Sequence, residues 1–390
     1  MICKERFERE NISIKLLNIA FVDDSGSWWW WTNLIGIYLF GFIGLIGNFI
    51  CFLVIHLKSS NHQSFLVYLR CLCLFDFLTL FFEILQSSND FSIYLFERMF
   101  LNFGNSFVCK CYDYIRYSIT LLSSWTIVSL TIDRLILVCQ PFDSIWPNFS
   151  RRYSNPSNAK RVLSILIISS FLINIPELIS KEWICRNEKI CRCRISSRIS
   201  RMKLKYLIEW NTYIYHLLIH TLIPTMILLI SNIAILKSLY KPRQIISNQN
   251  ESIRSRLTLT LSLISICFVF LYFPYGIVQT ISYLLIQNVK RHCNVGLILN
   301  LHKLKRLTEL LNIIALGINF YFYILGIRQY RNATLRMLKL NYFIKTDEPI
   351  CSSTFQRNHF TRSNANDRSS SLKLLRVTLS AEPSSFIKSN

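Results

Sequence analysis

The chain has 390 residues, 52% of them hydrophobic and 14% aromatic, and a mean hydropathy of +0.33, which is too apolar for an ordinary soluble domain. A formal charge of +22 would suggest nucleic acid for a soluble protein, but here the basic residues cluster in segments between apolar stretches. That pattern indicates a polytopic membrane protein in contact with lipid and excludes nucleic acid as a partner.

Seven stretches predict membrane-crossing helices, at about 32–57, 65–86, 107–138, 160–180, 207–237, 256–286 and 302–326. Helices are expected because backbone groups in hydrocarbon must be satisfied within their own segment, and roughly 20 apolar residues cross a ~30 Å core. The fold class is therefore an all-α membrane protein built as a seven-transmembrane helix bundle. Residues 1–31 show no signal-peptide pattern, so the first span is read as its own insertion signal, with Trp28 to Trp31 at the interface. Asn11, in Asn11-Ile12-Ser13, is a glycosylation acceptor if this segment is extracellular.

In the first span Asn48 is a buried amide that needs an interhelical partner. The second span places Asp76 and Glu83 at membrane depth, where an acid is costly and points to function. The third runs from Cys109 to Asp133-Arg134, a distance of roughly 38 Å at about 1.5 Å per residue, so its two ends reach opposite rims. Between them Arg116 requires a counter-charge: a ligand carboxylate, or an internal acid such as Asp113, Glu83 or Glu309. Pro224 in the fifth span and Pro274 in the sixth are expected bend sites, since each removes a backbone donor. Cys3, Cys109, Cys111, Cys185, Cys191, Cys193 and Cys293 gather on one side, which is read as the oxidising one. The Cys-x-Cys at 191 and 193 lacks a matching His/Cys set, so no metal is expected. No fixed-period repeat is present, which argues against a solenoid and against a transporter made of duplicated halves.

These landmarks, together with Asn319 and Tyr323, resemble the rhodopsin-like (class A) G-protein-coupled receptors in order and depth: Gly47-Asn48, Asp76, Cys109, Asp133-Arg134, Pro224, Pro274 and Asn319-Phe-Tyr-Phe-Tyr323. The resemblance implies a receptor domain at 32–326, an amphipathic eighth helix at 327–340 and a Ser/Thr-rich, disordered cytoplasmic tail at 341–390. The N-terminus would be extracellular and the protein would lie in the plasma membrane. Asp133, Arg134, Pro224, Phe268, Tyr272, Pro274, Asn319 and Tyr323 would form the activation set. Asn48, Asp76 and Ser123 would form a polar core, where relatives can hold a sodium ion; two other polar positions of that core are Ala315 and Leu316 here. A bridge from Cys109 to Cys193 or Cys191 would pin the second outer loop, with Cys185 and Cys111 as competitors.

Several positions depart from the family pattern. Leu135 replaces the motif tyrosine, Asn232 a tyrosine of the fifth helix, Tyr272 a tryptophan, and Arg254 a glutamate that clasps the helix-three arginine. Arg116 stands where amine receptors carry an aspartate, which argues against an amine ligand, and Ile313 stands where opsins carry their lysine. Phenylalanine in the seventh-helix motif looks like invertebrate peptide receptors of the FMRFamide or neuropeptide-Y-like type. A peptide or an acidic small ligand is thus expected outside, with Arg116, Glu83, Glu309, Tyr275 and Gln279 as candidate contacts. A heterotrimeric G protein is expected inside, with kinases and arrestin at the tail. No Ser/His/Asp, metal or phosphate-loop constellation suggests an enzyme. The rival readings are a transporter or channel lined by Asp76, Arg116 and Glu309, and a divergent receptor without conventional coupling.

Overall fold

The protein is described by a computed structural model, which covers residues 28–58, 63–96, 106–138, 154–187, 190–195, 210–240, 249–292, 295–326 and 328–337. The helices are α1 (Trp28–Lys58), α2 (Ser64–Phe96), α3 (Ser106–Val138), α4 (Pro156–Ile173) and the short α5 (Ile175–Ser180). A hairpin of β1 (Lys181–Asn187) and β2 (Ile190–Ile195) follows, then a π-helical segment (Trp210–Leu222) continuous with α6 (Ile223–Tyr240). The chain continues as α7 (Gln249–His292), α8 (Val295–Gly326) and α9 (Arg328–Met337). Asn11 and the 341–390 tail lie outside the described residues.

Among the described residues, six helical stretches are long and apolar enough to cross a membrane. They belong to α1, α2, α3, α4 with α5, the π-segment with α6, and α7. The seventh crossing is α8, whose first half carries Lys303, Lys305, Arg306 and Glu309. Each of α1, α2, α7 and α8 runs several residues beyond its predicted span at one or both ends.

α3 stands at the centre, in contact with α2, α4, α6, α7 and the hairpin. Its buried face, including Leu122, Ile127, Val128 and Leu130, meets Leu69 and Leu72 of α2, Leu228 of α6, and Ile264 and Phe268 of α7. A second seam joins Ile37, Leu80, Ile313 and Leu316 from α1, α2 and α8. Between α1 and α8 the backbones nearly touch: a Cβ on Gly44 would come 2.8 Å from the Gly317 Cα. Small residues allow this closeness, and close packing holds helices together where lipid is as apolar as the protein. α9 packs against α1 and α8.

Three local features differ from the sequence expectation, each for a backbone reason. The fourth crossing is not one helix over 160–180: α4 starts at Pro156 behind the N-cap Asn155, whose side chain accepts from the Ser157 amide at 3.1 Å. It stops at Asn174, because Pro176 cannot supply the next helical donor, and the Asn174 amide turns back to the Ser170 carbonyl at 2.8 Å. The segment after α5 is an antiparallel hairpin, not a loop, with Cys185 opposite Cys191 and Trp183 opposite Cys193.

Pro224 does not bend the middle of an α-helix. It sits second in α6, where π winding gives way to α winding. In the π pattern its missing N–H would have met the Ile219 carbonyl, and Trp125 of α3 fills that acceptor with its indole N–H at 3.2 Å. Pro274, by contrast, lies within the continuous helix α7.

Near that turn, a Cβ on Gly276 would overlap Thr221, whose own Cβ would be only 2.8 Å away. Gly276→Ala is therefore expected to destabilise the protein by about 1–3 kcal/mol despite the better helix propensity of alanine. The check is thermal unfolding in detergent, where Thr221→Ala should restore part of the loss.

Candidate functional site

The side chains singled out from the sequence fall into four layers along α3. At the Cys109 rim, Arg116 lies 3.4 Å from Glu83 of α2 and 3.9 Å from Asp113, and its guanidinium sits 4.7 Å from the Tyr117 ring centre. Asp113 also takes Lys181, the first residue of β1, at 2.7 Å; Lys181 reaches Glu177 at 2.7 Å and lies 5.0 Å from the same Tyr117 ring. Tyr117 is thus contacted by two cations, and Asp113 bridges them. Such pairing is what a low-dielectric site demands of charges. Burial opposes the Lys181 ammonium, but Tyr117, Asp113 and Glu177 together raise its pKa above the ordinary lysine value.

Glu309 was an alternative partner for Arg116. It pairs instead along its own helix, with Arg306 at 3.0 Å and Lys305 at 3.8 Å. Cys109 is disulfide-bonded while Cys111 is a free thiol, which removes Cys111 as a competitor. The hairpin cysteines Cys185, Cys191 and Cys193 are placed by backbone only.

The middle layer is aromatic and polar. Tyr272 stacks on Phe268 at 4.6 Å, lies 6.1 Å from Tyr275, and its hydroxyl hydrogen-bonds the imidazole of His220 in the π-segment. His216 packs edge-on against Tyr117 and Tyr215, and the Tyr215 hydroxyl donates to the Tyr117 carbonyl at 3.1 Å. Gln279 is buried one helical turn beyond Tyr275. His216 and His220 were not among the candidates read from the sequence. Their spacing could have drawn attention, but a histidine pair on an apolar helix is ambiguous without the facing Tyr272.

Deeper, the wholly buried Asp76 accepts from the Ser123 hydroxyl and from the Asn319 amide at 2.7 Å. The Asn48 amide donates to the Leu316 carbonyl at 3.0 Å. The Asn48 Oδ1, Thr79 Oγ1 and Asn319 Oδ1 atoms are buried without a hydrogen-bond partner among the described residues, so the layer is suited to water. Ser123 and Asn319 direct protons at the carboxylate, Ala315 and Leu316 offer no side-chain oxygen, and Asn48 occupies the Leu316 carbonyl.

At the far rim Arg134 pairs with Asp133 at 2.7 Å and lies 4.6 Å from the Phe65 ring. Asp133 also accepts from Ser64 at 2.8 and 3.0 Å and from Ser154 at 3.0 Å. α3 is tied to α7 by Thr131 and Ser265 at 2.8 Å, and α6 to α7 by the Ser262 hydroxyl donating to Asn232 at 3.0 Å. The side chain of Tyr323 and that of Arg254 are outside the described set.

Removing Lys181 leaves Asp113 and Glu177 short of a buried counter-charge, so Lys181→Met should cost about 3 kcal/mol. Amide exchange across Lys181–Ile195 should accelerate if the lysine holds the hairpin down, and unchanged exchange would refute that role. Tyr272→Phe removes only a hydroxyl and should cost about 1 kcal/mol of stability in thermal unfolding.

Comparison with known proteins agrees with this arrangement. Residues 47–312, more than half of the chain, match the family model described as 7 transmembrane receptor (rhodopsin family). The chain is also similar to G-protein coupled receptor 15 of Mus musculus, 24% identical over 139 residues, spanning 36% of this chain and about a third (35%) of that relative. This family consists of receptors, not enzymes, and the transporter or channel reading gives way to it. The chain belongs to the rhodopsin family of seven-transmembrane receptors.

Proposed function

We propose that this receptor binds a peptide at the Cys109 rim, facing the cell exterior, and transmits its arrival to a heterotrimeric G protein at the Arg134 rim. The observation that carries this reading is the placement of two paired-charge clusters at opposite ends of one buried helix. Arg116 with Glu83, Asp113 and Lys181 lies at one end, and Asp133-Arg134 with Ser64 and Ser154 at the other. Between them, α7 reaches the π-segment through Tyr272 and α3 through Ser265.

A ligand shifts such a bundle only by its difference in affinity for two arrangements. An incoming polar group that competes for Arg116 or Lys181 loosens the Asp113 bridge, and the hairpin and α3 then settle differently. Because α7 carries Pro274 beside Tyr272, its far half is the element suited to swing and uncover Arg134. The similarity to the mouse G-protein coupled receptor 15 supports G-protein coupling. The phenylalanine in the seventh-helix motif and the basic hairpin support an invertebrate-type neuropeptide as ligand. An acidic ligand group would have to displace an internal carboxylate, because Arg116 and Lys181 are already paired.

Nucleotide exchange on a panel of G proteins, measured against acidic and amidated peptides, tests the reading: at least one peptide should accelerate exchange. Arg116→Glu should then lower potency by roughly 100-fold, the scale of a broken buried charge pair, while surface expression persists. Unchanged potency would remove Arg116 from ligand recognition.

A further inference from the structure

Ser154 lies immediately before Asn155, the residue that caps α4, and its hydroxyl donates to Asp133 Oδ1 at 3.0 Å. Arg134 holds the other oxygen, Oδ2, at 2.7 Å. One carboxylate thus joins a partly buried serine to the guanidinium of the far-rim cluster. In the sequence Ser154 follows Arg151-Arg152-Tyr153, with arginines two and three residues ahead. That charge pattern is the one by which kinases with acidic substrate grooves select serine.

We propose that Ser154 is the acceptor for such a basophilic kinase, and that its phosphoryl group takes Arg134 away from Asp133. In the transfer a new bond forms between Ser154 Oγ and the γ-phosphorus of ATP. The bond from that phosphorus to the β–γ bridging oxygen breaks, ADP leaves, and the hydroxyl proton passes through the kinase base to solvent.

The consequence follows from charge. Unmodified, Ser154 donates a hydrogen bond to Asp133; phosphorylated, it is an acceptor only and carries nearly two negative charges, so it repels that carboxylate. Arg134 is the adjacent cation, and guanidinium–phosphate pairs are among the strongest charge-assisted contacts. The start of α4 adds a favourable field for an anion at this position. With Arg134 held by phosphate, the surface offered to a docking protein changes sign, and coupling falls. This last step rests on the receptor reading above, which also places the rim in the cytosol, where ATP is available.

The test uses the full-length chain in lipid nanodiscs, incubated with the catalytic subunit of cAMP-dependent protein kinase and Mg-ATP. Peptide mapping by mass spectrometry should find phosphate on Ser154. Arg151→Ala with Arg152→Ala should reduce it by roughly tenfold, a loss of about 1.4 kcal/mol in recognition. In ³¹P NMR the second phosphoserine pKa should lie below its ordinary ~6, since pairing with a cation favours the dianion, and Arg134→Gln should move it back up. A chain that takes phosphate on its tail serines but none on Ser154 overturns the proposal. So does a wild-type titration at or above ~6, which would mean that repulsion by Asp133 dominates and Arg134 is not captured. Neither readout involves a ligand or a G protein, so failure of every peptide to stimulate exchange would count against the receptor reading alone.

Discussion

A charge placed inside a membrane bundle has to be neutralised by partners from neighbouring elements, because water is not there to do it. α3 carries such charges near both ends, and most of the tertiary organisation can be traced to their pairing. Arg116 and Asp113 draw α2 and the first residue of the hairpin onto one end. Asp133 draws Ser64 at the start of α2 and Ser154 ahead of α4 onto the other. The apolar faces between these ends supply the packing, and the charges are neutralised by the neighbours that packing brings to them.

The same logic governs uncharged backbone. Proline in a span leaves a carbonyl unsatisfied unless something else donates to it, and at Pro224 the donor comes from α3 through Trp125. The π winding before it is therefore joined to the central helix at the level where His216 and His220 meet Tyr117 and Tyr272. The close approach of Gly276 to Thr221 keeps α7 against this segment. Here the fold holds a polar, aromatic layer between the two charged rims.

Much of this could be read from residue order. Long apolar runs identify helices in a membrane because no other open element satisfies its backbone there, and isolated Asp76, Arg116 and Asp133-Arg134 stand out against such runs without any knowledge of the fold. The hairpin was harder to see. The alternation of Cys191 and Cys193 with Arg192 and Arg194 is a strand pattern, but it lies in a basic, cysteine-rich stretch where disulfide and charge arguments come first, and Trp183-Ile184-Cys185 on the other strand does not alternate. The break at Asn174 is signalled by Pro176, whereas the π winding at Trp210–Leu222 has no comparable signal, since it depends on the donor that α3 lends through Trp125.

Sequence alone determined the class of protein, the number and order of its crossings, and which polar residues had to be accounted for, because the cost of burying a charge or an open backbone in lipid is independent of the partner that relieves it. Only the tertiary structure decided who those partners are. Glu83 rather than Glu309 for Arg116, His220 for Tyr272, and Ser154 for Asp133 are choices between groups of similar chemistry. Those choices are made by helix rotation and proximity, which one-dimensional order does not contain.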